Sequence, residues 1–175
     1  MGSTTDPSAE VPAGAEVLYE DTEAGVDDLL PIRRLEISDH GKGFVELLGQ
    51  LSPCPAISKA DFCSRFAELA SLGDDHVICV IEDPSTGRIV ATGSVFVEKK
   101  FLRGCGKVGH IEDIVVDGVA RRRRLGQRIV MYLTEHARKA GCYKVILDCT
   151  AELRAFYEKC GFVEKNVQMA MYFHR

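Results

Sequence analysis

Residues 108–140 constrain this chain more than any other stretch. An apolar run carrying two acids, Ile111-Glu112-Asp113-Ile114-Val115-Val116, leads through Gly118 into four consecutive arginines, Arg121 to Arg124, and then Leu125-Gly126. Beyond that point the period changes: Leu125, Ile129, Leu133, Ala137 and Ala140 form one helical stripe. The order is therefore strand, basic turn, helix N-terminus. Its Ile-Val-Val run predicts a strand, residues 108–116, buried on both faces. The turn aims backbone N–H groups and the positive end of a helix at one place, which suits a multiply phosphorylated ligand. A solvated basic turn is the plain alternative.

The rest of the chain supplies a frame for this unit. Strands are predicted over residues 32–38, 76–82, 88–98 and 143–148, the last of them buried, with a final strand or hairpin over 162–173. Helices are predicted over 42–51, 58–72, 125–140 and 153–160. Ser58 with Asp61 gives an N-terminal capping signal, and Gly141 suits the end of the long helix. Pro84-Ser85-Thr86-Gly87 is the turn of a hairpin. The order β α α β β β α β α β predicts an α/β (α+β) fold, a mixed central sheet with helices on its faces. Residues 1–28, rich in small and polar types, are expected to be mostly a disordered tail, and residues 29–175 a single domain.

Charge and composition exclude several functions. The chain has 175 residues and a net charge of −4, which does not favour nucleic acid, so the arginines are a local device. No apolar stretch approaches the ~18 residues of a membrane span, and the N-terminal residues lack the apolar core of a signal peptide. Seven cysteines (54, 63, 79, 105, 142, 149 and 160) are an odd number without C-x-x-C spacing. Neither a zinc site nor a disulfide framework is expected, and a reducing compartment fits.

Two nucleotide-binding signatures, G-x-x-x-x-G-K-[ST] and G-x-G-x-x-G, are absent, leaving R-x-x-x-x-G from Arg121 to Gly126. Glu112 and Asp113 would point to opposite faces of a regular strand. Acids there need a partner or a solvated cleft, so a structural ion pair is the alternative. Asp148 ends the next strand and stands close to Glu112 if the two strands are neighbours. Tyr157 follows on the short helix. Two carboxylates and a phenol at one cleft supply a proton acceptor and a proton donor.

Three blocks carry a resemblance: Gly109 to Val116, Gly141-Cys-Tyr-Lys-Val-Ile-Leu-Asp-Cys149, and Phe156-Tyr-Glu-Lys-Cys-Gly-Phe162. In this order, around the R-x-x-x-x-G turn, they resemble the GNAT acetyltransferases, and within them the eukaryotic glucosamine 6-phosphate N-acetyltransferases, over roughly residues 30–173. The resemblance implies a GNAT fold and transfer of the acetyl group of acetyl-CoA to the 2-amino group of D-glucosamine 6-phosphate. That step feeds UDP-N-acetylglucosamine synthesis in amino-sugar metabolism. It implies that Ile114, Val115 and Val116 line the acetyl-pantetheine arm and that Arg121, Arg122, Arg123, Arg124, Leu125, Gly126 and Gln127 hold the pyrophosphate. Tyr157, Glu158 and Lys159 border the cofactor. Ser52, Lys100, Phe101, Leu102, Arg103, Glu112, Asp113, Tyr143 and Lys144 are implied at the sugar phosphate, with Glu112, Asp148 and Tyr157 catalytic. It further implies direct attack in a ternary complex without a metal, a homodimer with shared sugar sites, and a cytoplasmic location or one peripheral to endomembranes. The same fold could instead serve another amine, a protein lysine, or CoA binding without turnover. The sequence departs from the pattern at Arg122, where glycine is usual, and at Tyr172, where several relatives have arginine.

Overall fold

A computed structural model describes residues 30–173. The expected tail, residues 1–28, lies outside them. Five strands form one mixed sheet in chain order: β1 (Ile32–Arg34), β2 (His76–Asp83), β3 (Arg88–Lys99), β4 (Lys107–Val116) and β5 (Cys142–Ile146). The first four are antiparallel neighbours, and β5 runs parallel to β4. A parallel neighbour requires a crossover, and the basic turn with α4 (Leu125–Lys139) supplies it.

The helices divide between the two faces. The α4 stripe of Leu125, Ile129, Leu133 and Ala137 is buried against Val95, Ile111 and Val77. Gly109 and Gly93 let that helix approach, since a Cβ on either would meet α4 side chains within 3 Å. On the opposite face, α1 (Phe44–Leu48) and α2 (Lys59–Ala70) cover Ile78, Val80, Ile89 and Val115 with Phe44, Leu47 and Phe62. Ser58 caps α2, its hydroxyl accepting from the Asp61 N–H at 3.1 Å. Asp39, fully buried, ties the segment after β1 to the sheet. Its oxygens accept from both Arg33 guanidinium nitrogens at 2.7 and 2.8 Å and from the Glu36 N–H at 2.8 Å.

Four expectations need correction. The first strand covers only Ile32–Arg34, and the first helix only Phe44–Leu48. The fifth strand is not buried: it is the sheet edge, with Tyr143 and Ile146 exposed. No strand forms over residues 162–173. That segment alternates apolar Val167, Met169, Met171 and Phe173 with other residues, yet all four are exposed. An alternating pattern becomes a strand only where a ladder receives it, and the segment pairs with no strand among the described residues.

Candidate active site

The site is built where β4 and β5 part. Their pairing runs from Lys107↔Cys142 to His110↔Ile146, where β5 ends, while β4 continues to Val116. From Ile111 onward, one edge of β4 has no strand partner. On the other edge, the Asp117 N–H donates to Val90 O at 2.8 Å. Successive N–H groups of an extended strand alternate direction, so Val115 turns toward β3 while Ile114 and Val116 turn toward the gap. An extended ligand arm can complete the sheet there.

A bulge sets the acids. Thr92 pairs with Val115 and Ser94 with Glu112, so Gly93 alone opposes Asp113 and Ile114. Asp113 takes φ +55°, and an extra residue bends the strand and re-aims its side chains. The regular alternation expected for Glu112 and Asp113 therefore does not hold. Glu112 is exposed on the face that α4 does not cover, and Asp113 lies at the kink. Burial of its surroundings raises the Glu112 carboxyl above its ordinary value, and the nearby charges of Asp113 and Asp148 raise it further. Asp148 thus lies near Glu112, though beyond the strand rather than at its end. Its carboxylate accepts from Gln168 Nε2 at 2.9 Å.

Tyr157 sits on α5 (Arg154–Lys159), 8% exposed, with Phe156 and Phe162 packed edge-on at 4.9 and 6.2 Å between ring centroids. Burial, with smaller contributions from the Cys149 and Cys160 thiols, pushes its hydroxyl up to about 12. It stays protonated at neutral pH and can donate a proton. Glu158 and Lys159 are exposed on the same helix. A Cβ on Gly126 would touch Phe156 at 3.2 Å and Val116 at 3.5 Å, so α5, the end of β4 and the start of α4 converge.

The basic turn is exposed from Arg121 to Arg124, while Leu125 is buried and anchors the helix. Arg122 has φ +69° and Arg124, the residue before α4, φ +56°. The position where glycine is usual thus does require a left-handed backbone, and arginine bears that strain. A left-handed residue followed by a helical one makes successive N–H groups converge on an anion, which Arg124-Leu125 does at the helix start. Arg123 lies within electrostatic reach of Asp83 in the hairpin turn, where it adds slightly to the lowering of that carboxyl by Ser85.

The predicted sugar-phosphate residues fall into two groups. Glu112 and Asp113 are at the bulge. Arg103 and Lys144 converge on Tyr143, 5.3 and 5.9 Å from its ring centroid. Register places Lys144 beside Val108, four residues from Glu112, roughly 13 Å along the strand. Lys100 is drawn to Glu98 at 2.6 Å, and Glu98 also contacts His110 at 2.9 Å. Phe101, just before α3 (Leu102–Cys105), and Leu102 at its start are exposed, and Arg103, Gly104 and Cys105 in this turn all have positive φ. Ser52 is exposed in the loop after α1. Gln50, which sequence reasoning passed over, ties that loop to the exit of β4: its Oε1 accepts from the Gly118 N–H at 3.0 Å and its Nε2 donates to Asp117 at 3.2 Å. Among the described residues no cluster of three His, Cys, Asp or Glu is placed to hold a metal ion.

The family model described as acetyltransferase (GNAT) family matches residues 44–162, which takes in the bulged strand, the turn and the helix of Tyr157. The chain belongs to the GNAT acetyltransferase family. It is 67% identical over 144 residues to the probable glucosamine 6-phosphate N-acetyltransferase 2 of Oryza sativa subsp. japonica, covering 81% of this chain and 87% of that one. It is 58% identical over 142 residues to the glucosamine 6-phosphate N-acetyltransferase of Arabidopsis thaliana, covering 81% and 95%. The crystal structure of glucosamine-6-phosphate N-acetyltransferase from Arabidopsis thaliana superposes with a TM-score of 0.82 at 56% identity, over 84% of this chain and 100% of that chain. These relatives share the substrate in their names.

Proposed function

We propose that this chain transfers the acetyl group of acetyl-CoA to the 2-amino group of glucosamine 6-phosphate, giving N-acetylglucosamine 6-phosphate and CoA for UDP-N-acetylglucosamine synthesis. The observation that carries the reading is the open edge of β4 at Ile114 and Val116, flanked by the acids at the bulge and by buried Tyr157. The donor's thioester supplies an activated acyl group. Gap-facing N–H groups are placed to hydrogen-bond its carbonyl oxygen as charge grows there. Arg121, Arg122, Arg124 and the N–H groups to Gln127 take the pyrophosphate. Glu112, its carboxyl raised, accepts the amine proton through water, while Asp148 orients the nitrogen. Tyr157 donates to the departing thiolate.

The acceptor's phosphate suits the Arg103–Tyr143–Lys144 cluster, neither cation of which has a carboxylate partner among the described residues. Phosphate on C6 and amine on C2 lie on opposite sides of the sugar ring, as the separated cations and carboxylates require. A homodimer belongs to the same reading. The bare outer edge of β5 and the exposed apolar C-terminal segment are surfaces a second copy would cover, bringing further groups to each sugar site. Seven free cysteines favour a reducing compartment such as the cytoplasm, and no helix among the described residues is long and apolar enough to cross a membrane.

The test is CoA release by the purified chain with glucosamine 6-phosphate, glucosamine and a histone peptide as acceptors. Turnover of the phosphorylated sugar well above the other two is expected. Release with the peptide alone would replace the reading with protein lysine acetylation.

A further inference from the structure

The charges of this chain are unevenly placed. Residues 1–28 hold eight of its 26 acids and none of its 22 lysines and arginines, so a net charge of −4 divides into −8 on that segment and +4 on the rest. Five of the eight, Glu20, Asp21, Glu23, Asp27 and Asp28, fall within positions 20–28. Two contacts fix where this part of the chain enters the fold. Leu30 packs against the core beneath α4, and its carbonyl accepts from Arg128 Nη2 at 2.5 Å. The Arg128 N–H in turn donates to Arg124 O at 3.1 Å, so one helical turn, about 5 Å, separates Arg128 from the basic turn. An extended chain covers at most about 3.5 Å per residue, which puts Asp28 within about 7 Å of Leu30 and Glu20 within about 35 Å. All five acids can therefore reach Arg121 to Arg124, which are exposed. The turn already acts on one acid of the folded chain: Ser85 lowers the Asp83 carboxyl, and the charge of Arg123 lowers it further. A run of carboxylates and a pyrophosphate make the same demand on this turn, for cations and convergent N–H groups.

We propose that residues 20–28 dock on the basic turn of their own chain and compete there with the CoA pyrophosphate. The inference rests on the donor site described above and concerns access to it. Five carboxylates meet five guanidiniums, those of Arg121 to Arg124 and of Arg128. The tether makes the encounter intramolecular, with an effective concentration in the millimolar range. The contacts are exposed ion pairs, each weak and screened by salt. The segment therefore yields to CoA rather than excluding it. It raises KM for acetyl-CoA and leaves kcat at saturation unchanged. Coupling between two ligands of one site is reciprocal, so CoA releases the segment by the same factor as the segment weakens CoA.

The experiment compares the full chain with a full-length variant carrying Glu20→Gln, Asp21→Asn, Glu23→Gln, Asp27→Asn and Asp28→Asn. CoA binding is measured by titration calorimetry at about 20 mM and about 500 mM NaCl. At low salt the variant should bind CoA about five- to tenfold more tightly, the sum of several weak exposed pairs. At high salt the two chains should agree. Diffuse repulsion by the same acids would also weaken CoA, so docking is read separately. An endoprotease that cuts after glutamate is applied to the wild-type chain with and without CoA. Saturating CoA at low salt should speed cleavage after Glu20 and Glu23 by the factor found in binding, and at high salt it should change nothing. Equal affinities at low salt, or CoA that binds without altering cleavage, overturn the proposal alone. Acceleration that fades as the protein is diluted assigns the segment to the turn of a second copy and overturns docking on its own chain. No binding of CoA to either chain overturns the donor site beneath it.

Discussion

Gly93→Ala links packing to the reaction centre, because Gly93 is the residue facing the β4 bulge. A methyl at this position would lie 2.3 Å from Ile114 Cδ1, 2.8 Å from Ile129 Cγ2 and 3.2 Å from Leu133 Cδ1. The first contact is with a flexible tip, which can swing aside. The second is with a β-branched residue on a helix, which is stiff at χ1. Overpacking of this kind costs about 1–3 kcal/mol, a fall in Tm of roughly 2–12 °C for a chain of this size. Ile114 also carries one of the N–H groups facing the donor gap, so displacing it should raise KM for acetyl-CoA. Gly109→Ala is the control. Its methyl would lie 2.8 Å from the Ala137 Cβ, an atom fixed to its helix, so it should destabilise at least as much while leaving KM for acetyl-CoA alone. Ile114→Val removes the clashing Cδ1 and should recover part of the Gly93→Ala loss. Urea unfolding at constant m, with initial rates over an acetyl-CoA series, reads both effects. Equal kinetic effects from the two alanines would refute the link between Gly93 and the donor site.

Four other substitutions test separate parts of the structure. Arg122→Gly relieves a left-handed arginine and should stabilise the chain by about 1 kcal/mol in thermal unfolding, with weaker CoA binding at low salt if the side chain also contacts phosphate. Tyr157→Phe should lower kcat about a hundredfold with little change in acetyl-CoA affinity; wild-type turnover across the pH range would remove Tyr157 from the mechanism. Glu112→Gln has a signed pH dependence. A raised carboxyl favours the folded state at low pH and loses that contribution as pH rises through its folded value. The glutamine variant should therefore be more stable than wild type at pH 7 and lose this advantage as pH falls toward 4.5, while its activity is low throughout. Asp39→Ala should cost about 3 kcal/mol at pH 7, the lower end for a broken buried pair because Arg33 stays partly open to water. Burial would raise the Asp39 carboxyl, but Arg33, the Glu36 N–H and Lys42 together hold it below its ordinary value. That stabilisation is present above the ordinary carboxylate range and disappears as pH falls through the lowered one, which acid unfolding of the variant and wild type would compare.

What the sequence made legible was local. The α4 stripe, the Ser58 cap and the 84–87 turn each depend on residues within a few positions of one another, and all form as read. The edge position of the fifth strand was not legible, because an apolar run looks the same at the centre of a sheet and at its edge. The bulge had only a faint signal: Asp113 is a type that tolerates φ > 0, but nothing beside it marks an extra residue, since the count is set against Gly93 twenty positions away. Separation in sequence likewise hides Gln50 on Asp117 and Gln168 on Asp148. Polar side chains outside any motif acquire their roles through the folded chain.

The missing last strand and the exposed β5 edge are two halves of one geometric fact. Among the described residues, the segment beyond Phe162 has the period of a strand and no ladder, and β5 has a ladder edge and no strand. Pairing both within one protomer would return the segment along β5, yet it is held by Gln168 to Asp148 and by Glu164 to Arg154 at 3.1 Å, beside the donor gap. A second copy is the neighbour that the proposed homodimer would supply. If so, replacing Val167, Met169 and Met171 with serine should leave a monomer by light scattering. Because Asp148 borders both this segment and the proposed reaction centre, the monomer should lose acetyl transfer to glucosamine 6-phosphate while keeping most of its affinity for CoA, whose proposed contacts lie on β4 and the turn. A monomer with full sugar turnover would show that each site is complete within one chain.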